Sequence, residues 1–351
     1  MTNASTTRKT AVVLFNLGGP DNQDAVRPFL FNLFYDPSIM RVPNPLRFLL
    51  ATLISRRRTH EASEIYAQLG GGSPLLPNTE AQARALEAEL SDLGETRVFI
   101  AMRYWHPMSD ETAYQVKDFD PDQVVLLPLY PQFSTTTTAS SLRVWRQAAK
   151  AAGLDKPTRL VCCYPDEPGL IDANVRLIEA AWREASAFGR PRLLFSSHGL
   201  PEKIVKDGDP YQWQCERTAA AIVERLGIPD LDWVTCYQSR VGPLKWIGPS
   251  TEDEVIRAGA DRVPLIVAPI AFVSEHSETL YEIGMQYRDL AREKGVPFFA
   301  RVPAVGDDAA FIRGLGRLVR ESLGRPPAIC SENGSRLCPD CWSGCPVGNI
   351  S

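Results

Sequence analysis

No apolar stretch in this chain is long enough to cross a bilayer. The longest, residues 263–273, is interrupted by Pro264 and Pro269. The first ten residues are polar and lead straight into an apolar strand, with no uncharged hydrophobic region, so a signal peptide is not expected. An excess of one charge is also missing. Lys and Arg number 38 against 42 Asp and Glu, a formal net charge of -4, which argues against a nucleic-acid binder that relies on a basic surface. Histidine is scarce, at 4 residues. The glycine pair after the first strand, Gly18-Gly19, fits neither G-x-G-x-x-G nor G-x-x-x-x-G-K-[ST], so a dinucleotide or Walker phosphate site is not supported. It reads either as a structural turn or as a place where backbone approaches a ligand.

Cysteine is not scarce, and its placement matters more than its number. Of 8 cysteines, Cys330, Cys338, Cys341 and Cys345 crowd into the last short stretch, whereas Cys162, Cys163, Cys215 and Cys236 lie earlier. A secreted disulfide scaffold is usually a small chain with its bridges spread throughout, and this chain has 351 residues. The expected compartment is reducing cytosol, where clustered thiols suggest metal binding before disulfides. The tail spacing Cys330-x7-Cys338-x2-Cys341-x3-Cys345 suits either Zn2+ or an iron–sulfur cluster, and does not itself choose between them. Unmetallated tail thiols are the bland alternative.

The remaining composition, 44% apolar and 23% charged, is that of an ordinary soluble globular protein with room for about two domains. Continuously apolar runs at 11–17, 97–102, 123–129, 159–163, 192–197, 233–237 and 262–268 read as strands covered on both faces. Helical patterns lie between them, at 79–93, 141–151, 171–188, 211–226, 252–258, 274–293 and 309–323. The alternation predicts an α/β protein: two Rossmann-like lobes, each a parallel sheet flanked by helices, with a cleft between them. Residues 152–157 read as a linker. The expected division is 1–155, 156–325 and a cysteine-rich extension at 326–351. Ligands of such sheets sit beyond the carboxyl ends of the strands.

Two candidates stand at those ends. His198 directly follows Leu193-Leu194-Phe195 and precedes Gly199, where an imidazole can take a proton or bind a metal. His276 lies in Ser274-Glu275-His276-Ser277-Glu278, with Ser274 as a candidate N-cap. On a helix, Glu275, Glu278 and Glu282 fall at i, i+3 and i+7, one carboxylate stripe. It reads as a solvated acidic face favourable at a helix N-terminus, or as a site for divalent metal and proton relay. A third feature, residues 45–58, carries Leu46, Leu49, Leu50, Leu53 and Ile54 at helical spacing before Arg56, Arg57 and Arg58. It is either an amphipathic helix packed on its own lobe or an interfacial segment.

Seven stretches together resemble the ferrochelatase family, the terminal enzymes of haem synthesis. They are LFNLGGPD at 14–21, YAQLGGGSP at 66–74, MRYWHP at 102–107, LYPQFS at 129–134, LLFSSHGLPEKIVKDGDPY at 193–211, YQSRVGPLKWIGPST at 237–251 and PIAFVSEHSETLYEI at 269–283. They span nearly the whole chain in the family's order. The resemblance implies a porphyrin cleft between the lobes and Fe2+ insertion into protoporphyrin IX, with loss of two protons. It implies that His198 faces the pyrrole nitrogens as proton acceptor or metal ligand, that Glu278 is its partner carboxylate, and that Glu275, His276 and Glu282 form a polar ladder for protons or Fe2+. Leu17, Tyr66, Tyr104 and Trp246 match wall positions, and Arg103 matches an Arg that orients a propionate or a nearby acid.

For the tail, the resemblance implies a [2Fe–2S] cluster on Cys330, Cys338, Cys341 and Cys345. In the animal pattern one ligand comes from earlier in the chain, which makes Cys162 or Cys163 the reserve. The lip at 45–58 implies peripheral contact with the inner face of the membrane by an otherwise cytoplasmic protein. Coproporphyrin III insertion, or an iron–sulfur sensor on a chelatase scaffold, are the competing readings. The sequence carries no signal for an oligomeric state.

Overall fold

The computed structural model describes residues 8–347 apart from 241, 243 and 327. Among the described residues, nine strands form two sheets: β1 (Lys9–Asn16), β2 (Glu95–Met102), β3 (Gln123–Pro128), β4 (Thr158–Val161), β5 (Arg192–His198), β6 (Asp232–Gln238), β7 (Leu265–Pro269), β8 (Phe299–Arg301) and β9 (Ile329–Cys330). The first sheet has the order β2-β1-β3-β4-β9 and the second β6-β5-β7-β8. Every pairing is parallel. The helices are α1 (Val26–Tyr35), α2 (Asn44–Gln68), α3 (Leu75–Glu89), α4 (Ser109–Phe119), α5 (Thr138–Ala152), α6 (Pro168–Ala185), α7 (Glu202–Lys206), α8 (Tyr211–Leu226), α9 (Thr251–Asp261), α10 (Arg288–Glu293) and α11 (Ala309–Leu323). The expected architecture, two parallel sheets each flanked by helices, is the one observed.

The strands are apolar throughout because each face meets helices. Successive side chains of a strand point to opposite faces. In β1, Val12 and Leu14 therefore pack with Leu86 of α3 and Leu315 of α11, while Val13 and Phe15 pack with Val116 of α4 and Trp145 of α5. In β5, Leu193 and Phe195 meet Ile178 of α6 and Ile222 of α8, and Leu194 meets Val255 of α9 and Ala291 of α10. Each such side chain, fully buried, contributes about 1.5–3 kcal/mol.

Two placements differ from the sequence expectation. The run at 159–163 was expected in the second unit, beyond a linker at 152–157. Instead β4 pairs with β3 in register, Val125 opposite Arg159 and Leu126 opposite Leu160. The segment after α5 is an ordinary short αβ connection that returns the chain to its own sheet. The chain comes back again after α11: β9 pairs with β4, Val161 opposite Cys330. The cysteine-rich tail thus begins inside the first sheet.

The helix expected over 274–293 is also different. It is a π-helix, Glu278–Tyr287, followed by α10. Ser274 is not its cap; its hydroxyl donates to Gln82 Oε1 at 2.8 Å. That bond belongs to a buried seam between the sheets. Gln82 Nε2 donates to Val273 O at 2.8 Å, and Phe133 N donates to Gln214 Oε1 at 2.7 Å. The 270–277 segment is drawn onto the first lobe, which delays the helix. π-Helical widening recurs at functional sites.

Candidate active site

β5 delivers His198 to its carboxyl end, where the chain turns at Gly199. A Cβ at that position would sit 3.0 Å from Gln238 O and 3.3 Å from the Trp246 ring, so a side chain there would make its neighbours give way by a few tenths of an ångström. His198 Nδ1 lies 2.9 Å from Glu278 Oε2, across from the first turn of the π-helix. His276 Nε2 is 3.8 Å from the same oxygen, and its Nδ1 is buried without a partner. Glu282 is fixed by four donors: Ser239 N at 2.8 Å, Ser239 Oγ at 2.5 Å, Gln238 Nε2 at 3.0 Å and Tyr287 Oη at 2.8 Å.

The structure brings four of the five predicted polar residues together and separates the fifth. Glu275 precedes the π-helix, so the stripe of three carboxylates does not form. Its carboxylate is taken by Arg301 Nη1 at 2.8 and 3.0 Å and by Ala304 N at 3.1 Å. Glu278 and Glu282 remain, both linked to Gln238, which donates to the Glu278 backbone oxygen at 3.0 Å. Gln238 and Tyr287 were not singled out from the sequence; both are polar groups in apolar contexts, a signal too common to select them.

Burial opposes the charge on His198, yet the carboxylate and hydrogen bond of Glu278, with Glu282 behind, raise its pKa above the usual 6.5. Burial likewise opposes the charge on Glu278, and His198 and His276 outweigh it, holding the carboxyl far below its usual range. Each partner thus favours the charged form of the other. The His198 side chain remains 39% exposed.

The first lobe supplies an apolar face. Leu17, Tyr66 and Tyr104 share one cluster with Val26, Phe29 and Leu30. Tyr66 reaches the other lobe through a hydrogen bond to Ser277, and burial pushes its phenol up to about 12. Trp246 stands beside Gly199 with its indole Nε1 buried and unpartnered. Arg103 is otherwise engaged: Nη2 donates to Asp36 Oδ2 at 2.7 Å and Nε to Ser140 Oγ at 2.8 Å. Asp36 also accepts from Arg143 Nη2 and Tyr104 Oη, each at 2.8 Å. Sequence reasoning did not find Asp36, because Asp before Pro reads as a helix-ending turn.

No disulfide joins any of the eight cysteines. Cys338 and Cys345 are in hydrogen-bonding contact, which draws the Cys345 thiol down to about 6. Cys163 lies close enough to both, and to Cys330, to perturb them electrostatically. Cys162 and Cys163 follow β4 in the first sheet, not a second-lobe strand. Cys341 is exposed. Among the described residues, no three His, Cys, Asp or Glu side chains are gathered as a ready-made metal site. Cys215 and Cys236 are fully buried, and burial pushes each up to about 12.

The segment at 45–58 lies in α2, where Leu46, Leu49 and Leu53 are 46%, 63% and 60% exposed and Phe48 joins them. Arg56 and Arg57 are exposed beside this face. No described helix is long and apolar enough to cross a membrane.

Two lobes of this topology, with polar chemistry at the strand ends, define a chelatase-type fold. A sirohydrochlorin chelatase, SirB from Bacillus subtilis subspecies spizizenii, solved with cobalt, superposes with a TM-score of 0.52 over 91% of this chain and 97% of its own, at 11% identity. At the sequence level the ferrochelatase family model matches residues 9–323. The ferrochelatase of Caulobacter vibrioides strain NA1000 / CB15N is 56% identical over 97% of this chain and 98% of that protein; that of Phenylobacterium zucineum is 54% identical over 97% and 98%. The chain belongs to the ferrochelatase family, and so is an enzyme, a lyase.

Proposed function

We propose that this enzyme inserts Fe2+ into protoporphyrin IX and releases two protons, giving protohaem at the end of haem synthesis. Porphyrin and Fe2+ are both substrates. The observation that carries the reading is the His198–Glu278 pair, 2.9 Å apart at the end of β5 and opposed by an apolar face from the other lobe. Insertion removes two pyrrole N–H protons, and it requires the macrocycle to distort until a nitrogen lone pair leaves the ring plane. Contacts along the rim can drive that distortion.

In this reading Nδ1 of His198 is committed to Glu278, which leaves Nε2 to take a pyrrole proton. Glu278 orients the ring and stabilises the cation formed. His276 and Glu282 continue the polar path that carries protons or Fe2+, while Glu275, held by Arg301, lies off it. A path of separated carboxylates suits an ion that must be released. Leu17, Tyr66, Tyr104 and Trp246 line the porphyrin wall. Of the two roles open to Arg103, orienting a nearby acid is the one its bond to Asp36 supports. In this reading the first lobe supplies most of the wall, the second the His/Glu site, and the tail the thiols.

A [2Fe–2S] cluster on the tail belongs to the same proposal. The tail spacing, and the contact of Cys338 with Cys345 that draws one thiol toward thiolate, support soft iron ligation once the remaining cysteines close in. Cys330, Cys338, Cys341 and Cys345 would hold it, with Cys163 competing for one place. Bound there, the cluster would supply one-electron redox chemistry. Iron and sulfide content across single Cys→Ser variants tests the ligand set, and a colourless zinc protein would overturn it. The exposed apolar face of α2 beside Arg56 and Arg57 supports peripheral membrane contact from the cytoplasmic side.

The main reading is tested by anaerobic Fe2+ insertion with protoporphyrin and coproporphyrin side by side. Faster turnover on protoporphyrin is expected. The reverse preference would reassign the enzyme to coproporphyrin III, and turnover on neither would overturn the proposal.

A further inference from the structure

At the opposite end of the first sheet from the His198 site, the C-terminal half of α5 stands away from the start of β4 and from the two-residue strand β9. The gap is a cavity of about 530 Å³. Its walls include Leu126, Leu142, Trp145, Leu154, Leu160 and Ile329. That volume lies in the range that small-molecule pockets occupy. Three cations also line it: Arg146, Lys150 and Arg159. Asp155 is the lining carboxylate.

Arg159 is the unusual member. It is only 9% exposed, yet its hydrogen bonds go to neutral oxygens: Nε donates to Arg325 O at 3.0 Å and Nη1 to Gln123 Oε1 at 3.3 Å. The nearby ion pair, Lys156 with Asp120, uses none of the cavity's cations. Burial pushes the Arg159 pKa down, and Arg8 adds like-charge repulsion. A buried cation without a counter-charge is costly, and a bound anion would relieve it. Apart from Asp155 and Thr158, the remaining side chains of the wall are hydrocarbon and indole, which an ion alone would leave uncovered.

We propose that this cavity is a binding site for a small organic anion with an apolar body, a medium-chain carboxylate being the simplest form. The acid group meets Arg159, Lys150 and Arg146, and the chain lies against Trp145, Leu142 and Leu154. The site is separate from the porphyrin centre and does not depend on the function proposed for it. Its floor is the β4–β9 pair; Cys162 follows β4 and Cys330 ends β9, so an occupant braces the two strands that carry the chain into the thiols.

Calorimetric titration of the full chain with octanoate, and separately with octanol, tests this. One octanoate per chain is expected, with octanol at least about tenfold weaker and octanoate weakening as salt rises. Lys150→Glu, on the exposed face of α5, should reduce octanoate affinity by about tenfold or more while the fold is kept. Leu154→Trp, which fills the cavity, should abolish binding. Prior saturation of the porphyrin site with zinc protoporphyrin should leave octanoate binding unchanged. Equal affinity for octanol, indifference to both substitutions, or loss of binding in the presence of zinc protoporphyrin would each overturn the proposal.

Discussion

Each lobe turns a carboxylate toward basic partners, and the two centres are built to opposite ends. In the first lobe the Asp36 side chain is 0% exposed and receives Arg103, Arg143, Tyr104, Ser140 and the Ser38 backbone, so its oxygens are fully occupied. In the second lobe Glu278 has His198 and a more distant His276, and polar capacity is left over: His276 Nδ1 has no partner and the His198 ring is partly open. A saturated centre holds parts in place, because every proton and lone pair is already committed. An unsaturated one can exchange protons with whatever arrives. Ion pairing alone does not separate structural from reactive groups; the unfilled valence does.

The strongest way to break this comparison is to remove the pair itself. His198→Ala and Glu278→Ala should each lower kcat for metal insertion by about 10²–10⁴-fold, the usual range for a positioned acid–base group. The thermal midpoint should move little for His198→Ala, since a half-open imidazole contributes modestly to folding. If either variant keeps near wild-type turnover in anaerobic assay, its role is wrong.

Asp36→Ala should show the reverse balance. Taking one partner from a buried ionic knot leaves Arg103 and Arg143 without their counter-charge, which costs about 3–5 kcal/mol. Urea unfolding should report that loss, while turnover per folded molecule falls far less than for His198→Ala. Stability within about 1 kcal/mol of wild type would mean that the knot is not the anchor its geometry describes.

The contrast also explains what the sequence could and could not reveal. Continuous apolar runs such as 192–197 announce strands buried on both faces, and His198 is visible because it stands where such a run stops. Glu278 is visible only as one of three acids in helical register. The register fails because 270–277 is pulled onto the first lobe through Gln82, a long-range contact with no local trace. Asp36 meets Arg103 across 67 residues and could not be paired from spacing. The tail shows the same limit: Cys338 and Cys345 announce themselves by spacing, whereas the proximity of Cys163 exists only because β4 returns to the first sheet.

The smallest effect sharpens the comparison most, because it reads the unfilled valence directly. His198 is raised above 6.5 by Glu278 and, more weakly, by Glu282, against an opposing burial effect that is the largest single influence. Glu278→Gln removes the main support and leaves burial. The imidazole of that variant should therefore half-titrate below 6.5 and that of the wild type above it, read from the His198 ring proton in an NMR titration. The linkage signs follow. The raised His198 stabilises the fold fully below its unfolded value of 6.5, and this is lost as pH rises through its folded value. The depressed Glu278 stabilises it fully above 4.5, and this is lost as pH falls through its folded value. The pair's whole contribution to folding thus falls between 4.5 and 6.5, while the neutral imidazole that accepts a proton becomes common only above that window. Insertion by the wild type should accordingly speed up as pH climbs past 6.5, where the pair is giving up stability. An insertion rate that instead declines through this range would assign His198 a role other than proton acceptor.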